Sequence, residues 1–408
     1  MSPSKKILYI TYLGLLEPIP QSQVVPYLLK LSKEMQIFLV SYEKPQLLKE
    51  SKQELEKIKR ILDKHRIQWY HLKYHKYPKI LSSYFDILVG SILVLHLILS
   101  KRISIVHARS NIPIAIAYFL RKFLVFKILY DRRGIMGEDH IEHSGWKKEG
   151  FLYRFALSFE KKVIRKSDVV VVITDRMRNV LMHSERIKAE SIITIPCCTD
   201  LQHFKPLKEK EIKIPEVQLL KNKFVFIYTG SVGTYNLLSE MFDFLKVAKF
   251  YIPNAHLLIL TPQMQTALSM LNMQSTIGIQ DVTIRKTSQQ DMPQYLSLAQ
   301  AGLIFRQKSA TAIAACPTKM GEYLACGLPI IAFSEIGDIQ YLIESHHIGV
   351  TFKEYNKSQY EQTILKFIQL LNHKKDLPDK CRKFSENFFS LTRGADLYLK
   401  AYDQMLKR

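Results

Sequence analysis

The feature that most constrains the fold is a series of short apolar runs that alternate with longer helical patterns. In the first half of the chain these runs are KILYITYL, MQIFLVSY, ISIVHARS, KILYDRRG, DVVVVITD and SIITI. They are rich in β-branched residues and lack in-and-out alternation, which is typical of strands covered on both faces of a parallel sheet. Helical patterns separate them, among them VVPYLLKLSKE, the lysine-rich segment from Lys49 onward, and IPIAIAYFLRKF.

The same alternation restarts near Phe224 with KFVFIYTGS, HLLILTP, DVTIRKT, AGLIFRQ and LPIIAFS. Because 408 residues exceed what one hydrophobic core usually supports, we predict two doubly wound, Rossmann-like domains. The predicted bounds are 1–205 and 206–384, joined through PCCTDLQHFKPLKEKEIK, with a helix at about 385–408 packing back on the first domain. Ligands of open parallel sheets bind beyond the carboxyl ends of the strands. Two such domains facing a central cleft would hold one substrate on each wall.

The chain carries a formal charge of +22, and the surplus lies mainly in the first half. Lysine and arginine are densest in residues 52–80 and 121–166. Such a surface attracts nucleic acid, an anionic membrane or an acidic substrate, or is simply solvated. No nucleic-acid-binding module accompanies the charge, so we do not expect a nucleic-acid partner. Peripheral contact with an anionic membrane stays open beside the solvated surface.

Targeting signals and cysteines bear on where the protein works. MSPSKKILYITYLG is typical of a first strand rather than a signal peptide. The most apolar stretch, Phe85 to Leu99, is interrupted by Asp86, Gly90 and His96. We expect a core helix too short to span a bilayer, with membrane contact as the alternative. Five cysteines without a CxxC pair fit a reducing cytoplasm. We therefore predict a cytoplasmic protein, with the inner face of the membrane as an alternative position.

Two segments of the second domain carry the chemistry. The strand FVFIYTG leads into Ser231 and Gly233, where glycines would let backbone N–H groups approach a phosphate, although a tight turn without ligand also needs glycine. In CPTKMGEYLACGLPIIAF, Pro317 starts a predicted helix whose first turns hold Thr318, Lys319 and Glu322. A hydroxyl, backbone N–H groups and a cation suit a diphosphate, and a carboxylate one turn later suits a ribose diol. The alternative is a capped helix with a surface Lys–Glu pair.

PTKMGEYLACGLPII resembles the donor-binding signature of family 4 glycosyltransferases, which have the two-domain GT-B fold. Other segments resemble the family in the same order, namely GLLEPIPQSQVVPYL, HARSNIPIAIA, YDRRGIMGEDHIEHSGW, SDVVVVITDRM, IPCCTDLQHF, GSVGTYN and IGDIQYLI. The resemblance spans nearly the whole chain. It implies a retaining transferase that uses a nucleoside-diphosphate sugar and needs no metal ion or other cofactor.

The resemblance also implies roles for individual residues. Glu322 matches the ribose-binding glutamate, and Thr318 and Lys319 match the phosphate-binding segment. Arg306 is a further candidate cation for the departing diphosphate, with a surface arginine after a strand as the alternative. The full donor set is Gly230, Ser231, Gly233, Arg285, Lys286, Thr287, Pro317, Thr318, Lys319 and Glu322, with Glu322, Lys319 and Arg306 as the catalytic candidates. Arg285, Lys286 and Thr287 lie where the family usually places the base.

The first domain departs from the family pattern. Its strand ends in Asp131-Arg132-Arg133-Gly134 and not in the usual histidine, and the DRRG…ED pattern resembles a subgroup of the family. The acceptor-side candidates are Gln21, Ser22, His107, Arg109, Arg133, Glu138 and Asp139, with strand-end polarity as the alternative for His107 and Arg109. In the second domain Ala314 replaces a glutamate common near the donor sugar, and in the opening loop Pro20 replaces a glycine.

Glu138, His140, Glu142 and His143 form a polar loop without zinc-type spacing, so we expect no metal site there.

The leading hypothesis is a glycosyltransferase that builds cell-surface polysaccharide on a glycan or lipid-linked acceptor. The alternatives are a nucleotide-sugar epimerase or hydrolase of the same fold, and an inactive partner subunit that only binds the nucleotide sugar.

Overall fold

The computed structural model describes residues 5–136, 138, 147–148, 150–233, 236–274, 277–373 and 376–407, without the side chains of residues 79 and 80. The chain forms two units, Met1–Pro196 with Leu391–Arg408, and Cys197–Ser390. The first unit thus ends at 196 where 205 was expected, and the chain returns to it at 391 where about 385 was expected.

The first unit is built on a parallel sheet. Its strands within the described residues are β1 (Lys6–Thr11), β2 (Gln36–Glu43), β3 (Gln68–Lys73), β4 (Ile105–Arg109), β5 (Lys127–Asp131), β6 (Val169–Val172) and β7 (Ile192–Thr194). The strand order is β3-β2-β1-β4-β5-β6-β7. Strands β4, β5 and β6 show side chains buried on both faces, with only Lys127 half-exposed at the start of β5, as expected for a doubly wound sheet.

Helices cover both faces of this sheet. In the described part of the first unit they are α1 (Pro18–Gln23), α2 (Val25–Leu31), α3 (Pro45–Glu50), α4 (Lys52–Lys64), α5 (Lys79–Lys101), α6 (Asn111–Leu120), α7 (Phe151–Lys166) and α8 (Asp175–His183). Helix α6 packs against α5 and α7. The right-handed rule for parallel crossovers places α5, α6, α7 and α8 on one face of the sheet, because the chain moves in one direction from β3 through β7.

Two predictions for this unit need correction. The lysine-rich segment from Lys49 was expected to be helical throughout, yet it ends in β3, an edge strand whose residues are exposed or half-buried. Because β3 mixes polar and aromatic residues, it lacks the apolar run that marks the central strands. The stretch Phe85–Leu99 lies in the 23-residue α5. Within the described residues α5 is the one helix long and apolar enough to cross a membrane, so it is not too short, and only one side of it is core.

The second unit repeats the architecture. Its described strands are β8 (Phe224–Thr229), β9 (Ala255–Leu260), β10 (Val282–Arg285), β11 (Ala301–Ile304), β12 (Ile330–Phe333) and β13 (Gly349–Phe352), in the order β10-β9-β8-β11-β12-β13. Its described helices are α9 (Glu216–Leu220), α10 (Leu238–Tyr251), α11 (Met264–Asn272), α12 (Met292–Leu296), α13 (Thr318–Ala325), α14 (Ile339–His346), α15 (Lys357–His373) and α16 (Leu377–Phe388). Helix α17 (Leu391–Lys407) follows and belongs to the first unit.

All strand pairs of both sheets are parallel among the described residues. The carboxyl ends of the strands in each sheet therefore meet at one edge. In the second unit Gly230 after β8, Lys286 after β10 and Arg306 shortly after β11 all lie at this edge.

Candidate functional site

The glycine loop after β8 lies against Lys319. Gly230 has a φ of +128° and Gly233 a φ of +115°, values that favour glycine. A Cβ atom at Gly230 would lie 3.2 Å from Nζ of Lys319, so the missing side chain leaves the ammonium group next to the loop backbone. The ammonium also sits 4.0 Å from the ring centroid of Tyr228, and the hydroxyl of Tyr228 donates to the carbonyl of Ser231. The loop and the cation thus form one surface.

Helix α13 places Lys319 and Glu322 at this edge. Pro317 is the N-cap residue and Thr318 the first residue of the helix, as the sequence predicted. The helix packs closely on its own unit, because a Cβ atom at Gly321 would lie 2.5 Å from Oγ1 of Thr199. The hydroxyl of Tyr323 accepts a 2.9 Å hydrogen bond from the backbone N–H of Thr229. This contact ties α13 directly to the end of β8.

Lys319 is held in an unfavourable electrostatic setting. Burial lowers the pKa of Lys319 to about 7, Glu322 opposes the shift, and the positive charge of Arg306 adds to it. The backbone of Arg306 is fixed by Tyr355, whose hydroxyl accepts from the Arg306 N–H at 3.0 Å and donates to its carbonyl at 2.7 Å. Two neighbouring cations that repel each other would both gain from a bound dianion. The geometry therefore suits a diphosphate.

Glu322 is buried, and a neighbour that the sequence did not indicate reaches it. Burial raises the pKa of Glu322 to about 6, against the effects of Gln289 and Lys319. The Nε2 group of Gln289 donates to Oε1 of Glu322 at 3.4 Å, and the Gln289 carbonyl lies 2.8 Å from Nε2 of His203. Gln289 belongs to no motif, and His203 lies in the segment IPCCTDLQHF but was not a candidate. Only the folded loop after β10 reveals both contacts.

The loop after β10 separates the three residues predicted to bind the base. Arg285 turns away to Glu216, with 2.6 Å between Nε and Oε1, so its charge is already compensated. Lys286 is exposed and Thr287 half-exposed at the strand end, and the same loop continues to Gln289 beside Glu322. The loop therefore brings Gln289 to Glu322, whereas Arg285 pairs with Glu216.

In the first unit the predicted acceptor-side residues form a buried polar cluster around Asp131. Oδ2 of Asp131 accepts from Arg109 at 3.0 Å and from Arg133 at 2.7 Å, and it lies 3.3 Å from Nε2 of His107. The hydroxyl of Tyr398 on α17 lies 3.2 Å from the same oxygen. Burial alone would raise the pKa of Asp131, but Arg133, His107 and Arg109 hold it well below its usual range.

This cluster changes the interpretation of two candidates. His107 has no exposed surface, its Nδ1 atom lies 2.6 Å from the hydroxyl of Tyr402, and burial lowers its pKa despite Asp131. Arg109 is 4% exposed. Both side chains are buried and already paired, which favours the strand-end polarity alternative, and their contact with an acceptor stays a prediction. Arg133 is the more accessible member of the cluster.

The remaining acceptor-side candidates lie apart from this cluster. Gln21 and Ser22 are half-buried on α1, where they bond to backbone carbonyls of their own segment. Glu138 accepts a 2.7 Å hydrogen bond from the hydroxyl of Tyr153. Asp139 lies outside the described residues, as do His140, Glu142 and His143 of the polar loop. Across the part of the chain that the structure describes, no three His, Cys, Asp or Glu side chains are grouped as a metal site requires.

The comparisons with known proteins agree with this fold. Residues 33–203 match the sequence model of Glycosyltransferase Family 4, and no curated protein matches the sequence. A glycosyltransferase from Rickettsia africae has a TM-score of 0.70 at 16% identity, with 99% of each chain covered. Sucrose-phosphate synthase from Thermosynechococcus elongatus has a TM-score of 0.71 at 14% identity, again with 99% of each chain covered. HepE from Anabaena, solved with UDP and glucose, has a TM-score of 0.71 at 11% identity over 98% of this chain and 100% of that one.

At these identities the solved structures establish the fold, and the family model adds sequence evidence over residues 33–203. The chain therefore has the GT-B fold, and its residues 33–203 match the Glycosyltransferase Family 4 model, as the resemblance of the motifs implied.

Proposed function

We propose that this protein is a retaining glycosyltransferase. It would move a sugar from a nucleoside-diphosphate sugar to a hydroxyl group of a glycan or lipid-linked acceptor in cell-surface polysaccharide synthesis. The observation that carries the proposal is Lys319, a cation of lowered pKa placed between Gly230, Tyr228 and the charge of Arg306.

Each part of the donor has a matching group in the second unit. The diphosphate would lie between Lys319 and the loop of Gly230 and Ser231, at the start of α13, where backbone N–H groups are unpaired within the helix. The ribose would bond to Glu322, whose burial is costly until hydroxyl donors reach it. The base would lie by Lys286 and Thr287, which precede Gln289 in the loop beside Glu322.

The arrangement supports departure of a diphosphate. In the proposed reaction the bond between C1 of the sugar and the phosphate oxygen breaks, and the acceptor oxygen forms the new bond to C1. The acceptor proton leaves with the nucleoside diphosphate. Lys319 and Arg306 would stabilise the negative charge that develops on the leaving group. Electrostatic stabilisation of this kind is usually the largest single contribution to lowering the activation barrier. We propose no metal ion or cofactor in this step.

The donor base is proposed to be uracil, since the HepE structure of the same fold holds UDP and glucose. We place the reaction in the cytoplasm, because the five cysteines, all within the described residues, are in the thiol form.

A donor panel tests the proposal. Thermal unfolding is measured with UDP-, GDP-, ADP- and dTDP-sugars, because a bound donor raises the melting temperature by mass action. The donor that binds is then incubated with and without acceptor extract, and NMR follows the anomeric configuration. We expect a UDP-sugar to stabilise the protein and the product to keep the donor configuration. An inverted product would refute the retaining mechanism.

The same assay separates the alternatives. An altered or released sugar without acceptor would indicate an epimerase or hydrolase, and donor binding without any product would indicate an inactive subunit. The replacement of the usual glutamate by Ala314, which is buried, motivates this second control.

A further inference from the structure

Helix α5 is apolar on its exposed side, and its buried side mixes polar and small residues with Val94, Leu97 and Ile98. Ser82 and Asp86 are buried, and a Cβ atom at Gly90 would lie 2.0 Å from the hydroxyl of Tyr42, so this side faces the unit. The opposite side carries an exposed stripe of Leu81, Phe85, Leu88, Ile92, Leu95 and Leu99. The spacing of three and four residues places them on one helix face. A continuous apolar stripe is unusual on a helix face that meets only water.

The degree of exposure shows that the unit itself does not cover this stripe. Leu88 is 59% exposed, Ile92 63% and Leu99 60%. The stripe runs along a helix of 23 residues, about 35 Å at 1.5 Å per residue. Contiguous apolar surfaces of this kind mark a binding surface for a protein or a membrane.

Aromatic residues on the neighbouring helices extend the stripe. Rings of Phe151, Phe155 and Phe159 stack along α7, and Phe159 stacks on Phe119 at the end of α6. Phe151 is 78% exposed and Phe123, just after α6, is 83% exposed. Because α6 packs between α5 and α7, these residues and the α5 stripe lie on one side of the sheet. We call this combined surface the apolar face.

The charges around the apolar face are positive. Between residues 74 and 136 the acidic residues are Asp86 and Asp131, and both are buried. Basic residues are exposed beside the apolar groups, with Arg102 after α5 and Lys122 after α6. The ammonium group of Lys122 lies 5.3 Å from the ring centroid of Phe119. Within the described residues of α5, α6 and α7 the acidic side chains are Asp86 and Glu160, and both are buried. Apolar side chains beside exposed cations match the interface of an anionic bilayer.

We propose that the apolar face docks this protein on an anionic lipid bilayer, with α5 lying in the plane of the interface. A second copy of the chain would bring a net charge of +22 against the same sign of charge, which disfavours self-association. Insertion of α5 across the bilayer would break its attachment to the unit. Asp86 accepts from the hydroxyl of Tyr12 at 2.7 Å and its Oδ1 lies 2.6 Å from Nδ1 of His75. The helix therefore lies on the membrane and does not span it.

Vesicle sedimentation with the full chain tests the docking. One vesicle preparation contains phosphatidylglycerol and phosphatidylcholine, and the other contains phosphatidylcholine alone. We expect retention on the anionic vesicles, weaker retention on the neutral ones, and release by alkaline carbonate. The double substitution Leu88→Asp with Ile92→Asp should lower the partition coefficient on the order of a hundredfold, because two apolar side chains that would enter the bilayer are replaced by negative charges.

The matched control is Phe250→Asp with Ile279→Asp in the second unit, where both residues are also exposed and the change in net charge is the same. It should bind as the wild type does. A second variant, Arg102→Glu with Lys122→Glu, should weaken binding to anionic vesicles and leave binding to neutral vesicles unchanged, and circular dichroism checks the folding of each.

Three results would overturn the docking. These are no retention of the wild type, equal retention of the Leu88 and Ile92 variant, or resistance to carbonate, which indicates a spanning helix. If the wild type does not bind vesicles but forms dimers, and the Leu88 and Ile92 variant is monomeric, the apolar face instead binds a second copy of the chain. The assay contains no nucleotide sugar, so its failure leaves the proposed reaction untouched.

Discussion

Lys319 is the residue whose surroundings most clearly favour the binding of an anion. Its ammonium group lies beside Gly230 and over the ring of Tyr228, with the charge of Arg306 nearby. A diphosphate would replace this repulsion by charge-assisted hydrogen bonds. The residue is poorly satisfied without a ligand, which is usual for binding sites.

Lys319→Ala should weaken binding of the donor. Each lost charge-assisted hydrogen bond costs about 1.5–3 kcal/mol, or roughly 10- to 150-fold in the dissociation constant. Calorimetric titration of the nucleotide sugar measures the change. The control is Lys308→Ala, which removes an exposed lysine of the same unit that pairs with Glu335. Equal affinity of wild type and Lys319→Ala would refute the diphosphate assignment.

Donor affinity should also fall as the pH rises above about 7. Burial lowers the pKa of Lys319 to about 7, so the free protein loses this proton first, and the bound diphosphate favours the protonated form. Binding then requires proton uptake, and the dissociation constant should rise up to about tenfold per pH unit until the pKa of the complex is reached. Titrations of a UDP-sugar at about pH 7 to 8.5 check this, because its diester phosphates do not titrate there. Lys319→Ala should give a flat profile.

Glu322→Ala should abolish transfer while the protein stays folded. Burial raises the pKa of Glu322 to about 6, so the carboxylate is strained in the free protein and its removal should not lower stability. Transfer assays and thermal unfolding measure the two effects. Glu335→Ala, an exposed carboxylate of the same unit, is the control and should keep full activity. A Glu322 variant with a near-normal rate would show that the ribose site lies elsewhere.

Sequence motifs identified Lys319 and Glu322 because both lie in one short segment with recognisable spacing. They did not identify Gln289, which reaches Glu322 only through the loop after β10. They also left His107 as a candidate for acceptor contact, whereas α17, far along the chain, buries it. Contacts between distant segments carry no local signal.

At the scale of elements, α13 depends on the absence of a side chain at Gly321. A Cβ atom there would lie 2.5 Å from Oγ1 of Thr199 and 3.3 Å from Cβ of Phe389. Gly321→Ala should therefore shift the helix and cost about 1–3 kcal/mol by overpacking. Chemical denaturation measures the free energy of unfolding.

The double variant Thr199→Ala with Gly321→Ala tests the cause of that loss. It removes the nearest atom and should recover part of the stability, relative to Thr199→Ala alone. If Gly321→Ala is as stable as the wild type, α13 has room that the structure does not show. If the double variant recovers nothing, Phe389 is the limiting contact.

The elements best predicted from the sequence were the central strands. β5 and β12 are buried apolar runs, and their composition is enough to indicate them. The edge strand β3 was missed because its polar and aromatic residues, all exposed or half-buried, form no apolar run. The sequence shows that α5 is apolar. It does not show which face of α5 is buried, because that depends on how α5 packs against α6 and the sheet.

At the scale of the molecule, α17 completes the first unit although it follows the second in the chain. Its Tyr402 hydroxyl lies 2.6 Å from Nδ1 of His107, and its Tyr398 hydroxyl lies 3.2 Å from Oδ2 of Asp131. The buried cluster of the first unit is therefore closed by residues nearly 300 positions away, with separations of 295 and 267 residues.

Deletion of residues 391–408 should destabilise the first unit selectively. Removal of a partner from a buried polar group costs about 1–3 kcal/mol per group, and the apolar contacts of α17 are lost as well. Hydrogen exchange should show loss of protection in β4 and β5, with β8 and β9 little changed. Tyr402→Phe, which removes one hydroxyl, should give a smaller effect in the same peptides. Equal loss of protection in both units would contradict this assignment.

The sequence by itself determined the two parallel sheets, the glycine loop and the helix that carries Lys319 and Glu322. These features depend on local patterns of apolar, glycine and charged residues. A buried strand, a tight turn or a phosphate-binding helix start needs such a pattern within a short segment, so the sequence shows it directly. Only the tertiary structure decided which polar strand ends are buried, where Arg285 points and which face of α5 meets solvent. Each of these depends on segments distant in sequence, because burial and pairing belong to the packed arrangement and not to any one segment.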